Sequence, residues 1–193
     1  QPAALTLPLQ TQGPLSAQSL AAYAKVDRSR VSRALASLGP AIVRLGVTRG
    51  ARYALRRPFF GKRGECLINR INLSGSSAHE WAQLTALHGG WHLEWASQGV
   101  RPEWAEQLHG HDGFCEGMPF FLSDLRPQGF LGRAAARQLP PGAGWPLDPR
   151  DWSDDQNLTY LLQYGHDLSG NLVLGGHPTA MALQDPLRRT VSY

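Results

Sequence analysis

The chain has 193 residues, 42% of them hydrophobic and 18% charged, with a formal net charge of +4. That is enough chain to bury a real core in one large domain or two small ones, and the composition is that of an ordinary globular protein. No apolar run nears the ~20 residues of a membrane helix, and no charged start leads into an apolar stretch, so neither a membrane partner nor a secretory signal is expected and a cytoplasmic protein is. The chain opens on Gln1 rather than Met, which leaves room for residues ahead of it.

The overall charge hides a division. Residues 1–63 hold eleven basic side chains and one acid, Asp27, a net of +10, whereas the remaining 130 residues carry a net of −6. A split of that size predicts two modules, the first with a polyanionic partner. The plainer alternative is a solvated basic face.

The stretch Leu15-Ser16-Ala17-Gln18-Ser19-Leu20 predicts a helix start, with Ser16 as its cap and Leu15 and Leu20 as a hydrophobic staple. A three-residue break, Lys25-Val26-Asp27, follows Ala24. The pattern then repeats, with Asp27 as cap and Val26 and Val31 at the staple positions. Two short helices around a tight break have helix-turn-helix spacing. In the second, Arg28 to Leu38, the residues Val31, Ala34, Leu35 and Leu38 recur at i, i+3, i+4, i+7 and form one buried stripe. Ser29 and Arg33 fall opposite that stripe, flanked by Arg30, Ser32 and Ser37. A helix face of Arg and Ser suits a major groove, where Arg pairs bidentately with guanine and Ser bonds base or phosphate. Arg28, nearer the buried edge, is better placed for a phosphate. Gly39-Pro40 stops the helix. Ile42–Val47 and Arg52–Leu55 read as strands of a hairpin with Arg49 at its tip and Arg52 beside it. A basic hairpin just after such a helix is a wing. The predicted contacts to double-stranded DNA are therefore Arg28, Ser29, Arg30, Ser32, Arg33, Arg49 and Arg52.

Pro58 and Gly61-Lys62-Arg63-Gly64 are breakers. Cys66–Leu73 reads as a strand, Ser74–Ser77 as a turn, and Trp81–Leu87 and Trp91–Trp95 as strands around Gly89-Gly90. From Met118 the pattern turns helical, near Phe120–Leu125, Phe130–Leu139 and Gln156–Tyr164, before a turn over Asp167–Asn171 into a strand at Leu172–Leu174. Trp81, Trp91, Trp95 and Trp104 fit a core or interface better than a ligand cage.

Seven histidines raise the question of a metal. His88 and His92 are separated by Gly89-Gly90, which opposes a helix presenting both. His79-Glu80 lacks the second His of a zinc-protease helix, and His109-Gly110-His111-Asp112 is a loop cluster without a companion at ligand spacing. No metal and no cofactor is expected. Cys66 and Cys115 are far apart and without CxxC spacing, so two buried thiols are favoured over a disulfide. Asp154-Asp155 reads as the charge complement of a helix start rather than a cation site. No phosphate loop or nucleophile elbow occurs. A protein-kinase site needs a phosphate-pairing lysine, a metal-binding acid and a catalytic-loop acid. The two lysines, Lys25 and Lys62, both lie in the basic segment, and no such set can be assembled.

One stretch, Gly117-Met118-Pro119-Phe120-Phe121-Leu122-Ser123-Asp124-Leu125-Arg126-Pro127 on to Arg133, resembles the N-terminal subdomain of HipA-like serine/threonine kinases, and among them the YjjJ-type subgroup, which also begins with a winged helix. The similarity continues through Leu147–Asp155 and Tyr164–Gly175 and covers residues 15–193. The resemblance implies the toxins of toxin–antitoxin systems and their relatives, with a kinase core downstream of this region. No catalytic residue of that family has a counterpart here, so the chain is not expected to be an enzyme by itself. It is expected to be a fragment of a longer protein or, second, a separately encoded subunit that restrains a kinase partner. The segment from Phe120 to Pro127 is expected to be structural or to face a kinase core.

The expected architecture is α+β: a winged helix-turn-helix over 1–57, a linker over 58–63, and a HipA-like subdomain of small antiparallel sheet and helices over 64–193. The expected function is that of the DNA-binding, regulator-like part of a toxin kinase. Its partners would be double-stranded DNA and a HipA-type kinase core in cis or in trans, with a homodimer allowed. The alternative is an antitoxin-like interaction subunit that docks on such a core.

Overall fold

The computed structural model describes residues 3–48, 50–97, 101–105, 112–140, 143–168 and 170–184. The chain is mixed α+β, with two antiparallel sheets and, among the described residues, seven α-helices. By compactness it divides into two units, Gln1–Glu65 with Leu84–Glu94 and Val100–Gly117, and Cys66–Gln83 with Trp95–Gly99 and Met118–Tyr193.

The first unit opens on α1 (Ala3–Gln12), an element the sequence reading does not include. Pro8 in its middle spoils the local helix signature. Packing holds it instead: Leu5 and Leu9, one turn apart, are buried in a cluster with Leu20, Val31, Leu35 and Leu55. β1 (Leu15–Ser16) leads into α2 (Ala17–Ala24), and the Ser19 N–H donates to Ser16 Oγ at 3.0 Å, so the expected cap is present. Leu15 packs on the same cluster as the fully buried Leu20, which is the expected staple. Lys25 takes a left-handed conformation (φ 53°), and the Val26 N–H returns to the Ala21 carbonyl at 3.1 Å. The chain then enters α3 (Arg28–Leu38), whose first turn donates the Arg30 N–H to Asp27 Oδ1 at 2.8 Å. Val31 and Leu35 are buried, and Ala34 and Leu38 half-buried, as the stripe requires.

Gly39 (φ 51°) ends α3 and a single 3₁₀ turn leads to β2 (Ile42–Leu45) and β3 (Arg52–Leu55). β2 stops two residues short of the expected Val47, because Gly46 (φ 80°) already turns the chain. The sheet order is β1-β3-β2, with Ile42 opposite Leu55, Leu45 opposite Arg52 and Leu15 opposite Tyr53. Val43, Leu45 and Ala54 form a second cluster with Leu87, and Phe114 packs against it.

β4 (Glu65–Ile71), β5 (Ala78–Leu87), β6 (Gly90–Trp95), β7 (Phe114–Cys115) and β8 (Leu172–Leu174) make a sheet in the order β7-β6-β5-β4-β8. In the first unit, β7 pairs antiparallel with β6, and Arg57 donates to the Leu87 carbonyl at 3.1 Å while lying over the Trp91 ring. In the second unit, β8 pairs antiparallel with β4, and Ile71 and Val173 share a cluster with Ala182 of α7 (Gly176–Gln184). Trp81 meets Trp95 and Phe121 edge-to-face, with centroids 4.8 and 5.4 Å apart, which places Trp81 in the expected core. The expected helices are present as α4 (Phe120–Ser123), α5 (Gly129–Arg137) and α6 (Asp154–Tyr164). Asp154 and Asp155 lie in the first turn of α6 behind a reciprocal capping box of Ser153 and Gln156. No helix among the described residues is long and apolar enough to cross a membrane.

Candidate nucleic-acid interface

The buried stripe of α3 sets what the rest of the helix presents. At ~100° per residue, burying Val31 and Leu35 turns Ser29 and Arg33 outward. Arg28, Ser29, Arg30, Ser32 and Arg33 are all exposed. The structure therefore brings these five residues together on one helical surface. Arg28 and Arg33 make no ion pair or hydrogen bond among the described residues, so their guanidinium donors face solvent. Ser29 and Arg30 are engaged by the cap. The Ser29 hydroxyl donates to Asp27 Oδ1 at 2.6 Å, and Arg30 Nε lies 3.6 Å from Asp27 Oδ2. The Ser29 hydroxyl, then the Arg30 N–H, hold the Asp27 carboxyl below the usual carboxylate range.

The hairpin contributes differently. Arg49 lies outside the described residues. Arg52 is half-buried; its Nη2 donates to Asp112 Oδ2 at 2.9 Å, and its guanidinium lies 5.0 Å from the Phe114 ring centroid. The structure thus ties Arg52 to Phe114 of β7 and to Asp112, two residues before that strand. Arg44 was not among the expected contacts. Alternation along β2 buries Val43 and Leu45 and leaves Arg44 exposed, where it donates to the Val47 carbonyl at 3.2 Å. The two-residue period of a strand is the signal that finds it. Arg56 pairs with Glu65, and Arg57 stacks on Trp91 at 4.8 Å. The cations on α3 and β2 are thus exposed, whereas Arg52, Arg56 and Arg57 are engaged within the first unit.

Of the histidines weighed for a metal, His109 and His111 lie outside the described residues, and Asp112 beside them is committed to Arg52. Burial, followed for His88 by the nearby Arg57 charge, pushes His88 and His92 below the usual histidine range. In the second unit, Phe121 and Leu122 are buried while Phe120 is exposed, and the Met118 N–H donates to Asp154 Oδ2 at 3.3 Å. Most of this motif holds the fold together.

The family described as YjjJ-like toxin, middle domain, matches residues 63–183. The toxin YjjJ of Escherichia coli (strain K12) is 32% identical over 170 residues, which is 86% of this chain and 35% of that protein. The chain therefore spans about a third of the length of this curated relative. No solved structure matches. Because the family match covers more than half of its length, the chain belongs to the YjjJ-like toxin family.

Proposed function

We propose that residues 3–55 are a winged helix-turn-helix that binds double-stranded DNA, with α3 in the major groove and the β2–β3 hairpin against the flanking backbone. The observation that carries this reading is the outward Arg/Ser surface of α3, with Arg28 and Arg33 unneutralised in a segment of net charge +10. The element order supports it: helix, short strand, two helices around a three-residue break, then a hairpin closing a β1-β3-β2 sheet. In this reading Ser29 and Arg33 approach base edges, while Arg28, Arg30, Ser32 and Arg44 meet phosphates. Arg49 is the tip contact and Arg52 braces the hairpin from inside.

The second unit, in this proposal, docks on a HipA-type kinase core in cis or in trans, and the chain itself is not catalytic. The DNA module then serves as an address for a toxin kinase or as its autoregulator. Fluorescence anisotropy with a duplex of about three helical turns tests the proposal. Log affinity is expected to fall linearly with log salt, with a slope of about −0.9 per phosphate neutralised. A response flat between 50 and 200 mM salt overturns it. Absence of any DNA binding together with tight capture of a separate kinase core would instead establish the antitoxin-like alternative.

A further inference from the structure

Within the first unit, α1, the turn after α2 and α3 enclose an open groove of about 440 Å³. Its apolar wall is formed by Leu5, Ala24, Val26 and Ala34, and Arg30 and Arg33 stand beside that wall. Small-molecule sites of roughly 300–1,000 Å³ are built in this way, from apolar walls and a few fixed polar groups. No acidic side chain lines the groove among the described residues. Arg33 has no partner there, and Arg30 has only the exposed Asp27 carboxylate 3.6 Å from its Nε. A guanidinium fork without a counterion selects an oxyanion. The apolar wall selects against a fully hydrated one, because it gives nothing to an ion without a hydrocarbon body.

We infer that this groove binds a small organic anion, a single carboxylate or phosphate head on an apolar body. The head pairs with Arg33, assisted by Arg30, and the body covers Leu5 and Val26. The groove uses the same guanidinium that the proposed function places at the DNA. Ligand and duplex then compete for Arg33, and each weakens the other by the same factor. That coupling rests on the DNA-binding reading, whereas occupancy of the groove does not.

Methyl-detected NMR of the 193-residue chain, titrated without DNA, separates the two. Octanoate and octyl phosphate distinguish the two heads; 1-octanol and inorganic phosphate isolate body and charge. Saturable shifts of the Leu5 and Val26 methyls are expected with octanoate or octyl phosphate. Binding should be about tenfold tighter than for octanol, the size of one charge-assisted hydrogen bond. Arg33→Gln should abolish that advantage and leave octanol binding as in the parent; both side chains are exposed and polar, so the fold is kept. Equal affinity for octanol and both anions, shifts confined to other methyls, or full retention of the advantage in Arg33→Gln would overturn the site. Inorganic phosphate saturating the same methyls equally well would also do so, since the apolar wall would then contribute nothing. With the site established by NMR, an unchanged DNA affinity in saturating octanoate and octyl phosphate would overturn the competition alone.

Discussion

The Arg52 guanidinium donates to Asp112 Oδ2 at 2.9 Å, sixty residues along the chain, and lies over the Phe114 ring. Burial draws the Asp112 carboxyl upward, but the Arg52 hydrogen bond, the Phe114 N–H and the Arg52 charge outweigh it and hold the group below its ordinary value near 3.8. A carboxyl so depressed stabilises the fold fully above its unfolded pKa, and the contribution fades as pH falls through the folded one. Both partners remain partly solvated, so Asp112→Asn should cost only about 0.2–1 kcal/mol at pH 7. Urea unfolding of parent and variant should converge as the pH drops below about 3.8. A gap that stays constant down to pH 2 would assign the loss to something other than the ion pair.

Arg33→Ala should weaken binding to a preferred duplex by ~1–3 kcal/mol while leaving thermal stability almost untouched, because the side chain is exposed and makes no hydrogen bond or ion pair among the described residues. Anisotropy against preferred and random duplexes reads the difference. An equal loss on both would reduce Arg33 to a phosphate contact.

Asp27 is the single acid of the basic segment and sits at the entry to α3. Asn caps a helix about as well as Asp. Asp27→Asn should therefore keep α3 while removing a negative charge from the proposed DNA face, and so tighten duplex binding. Circular dichroism and anisotropy on the same sample check both halves, and unchanged or weaker binding with helicity intact would contradict the placement of α3.

The loop between α1 and β1 touches the turn between β5 and β6 at two glycines. A Cβ on Gly89 (φ 88°) would lie 2.8 Å from the Gly13 Cα, whereas one on Gly61 (φ 59°) meets nothing within 4 Å. Gly61→Ala should cost about 1–2 kcal/mol from the left-handed backbone alone. Gly89→Ala adds a backbone clash and should lose about 1–3 kcal/mol more. Equal melting temperatures for the two variants would show that this contact does not constrain the first unit.

Burial, then the Asp112 charge, pushes the Cys115 thiol up to about 12. Only the thiolate is a competent nucleophile. Iodoacetamide at pH 8 should leave Cys115 intact in the native chain and label it after denaturation, as peptide mass spectrometry would record. Rapid native labelling would mean that the half-buried setting of this thiol opens readily.

Local chemistry makes much of this legible in the sequence. Ser16 and Asp27 announce helix starts because each hydroxyl or carboxylate satisfies a backbone N–H three residues on. Val31, Leu35 and their neighbours give α3 a buried side, and hence an exposed one, by period alone. The family resemblance, read from residues 117–133 and beyond, was likewise a property of the chain as written. Elements held by distant partners were not legible. α1 contains Pro8 and depends on Leu20, Val31, Leu35 and Leu55 to bury Leu5 and Leu9. The two-residue strands β1 and β7 exist only through pairing with β3 and β6.

The candidate site divides along the same line. The sequence by itself determined that a helix rich in Arg and Ser follows a tight break and precedes a basic hairpin, because caps, periodicity and turn residues act within a few positions. It could not determine which arginines stay outward. Arg52 on the hairpin looked equivalent to Arg33 on the helix. Tertiary structure alone supplied Asp112 and Phe114 to Arg52, Trp91 to Arg57 and Glu65 to Arg56, while leaving Arg33 solvated beside an apolar groove. The reason is physical: charge falls where the chain writes it, but its neutralisation depends on which distant side chains folding brings within about 4 Å.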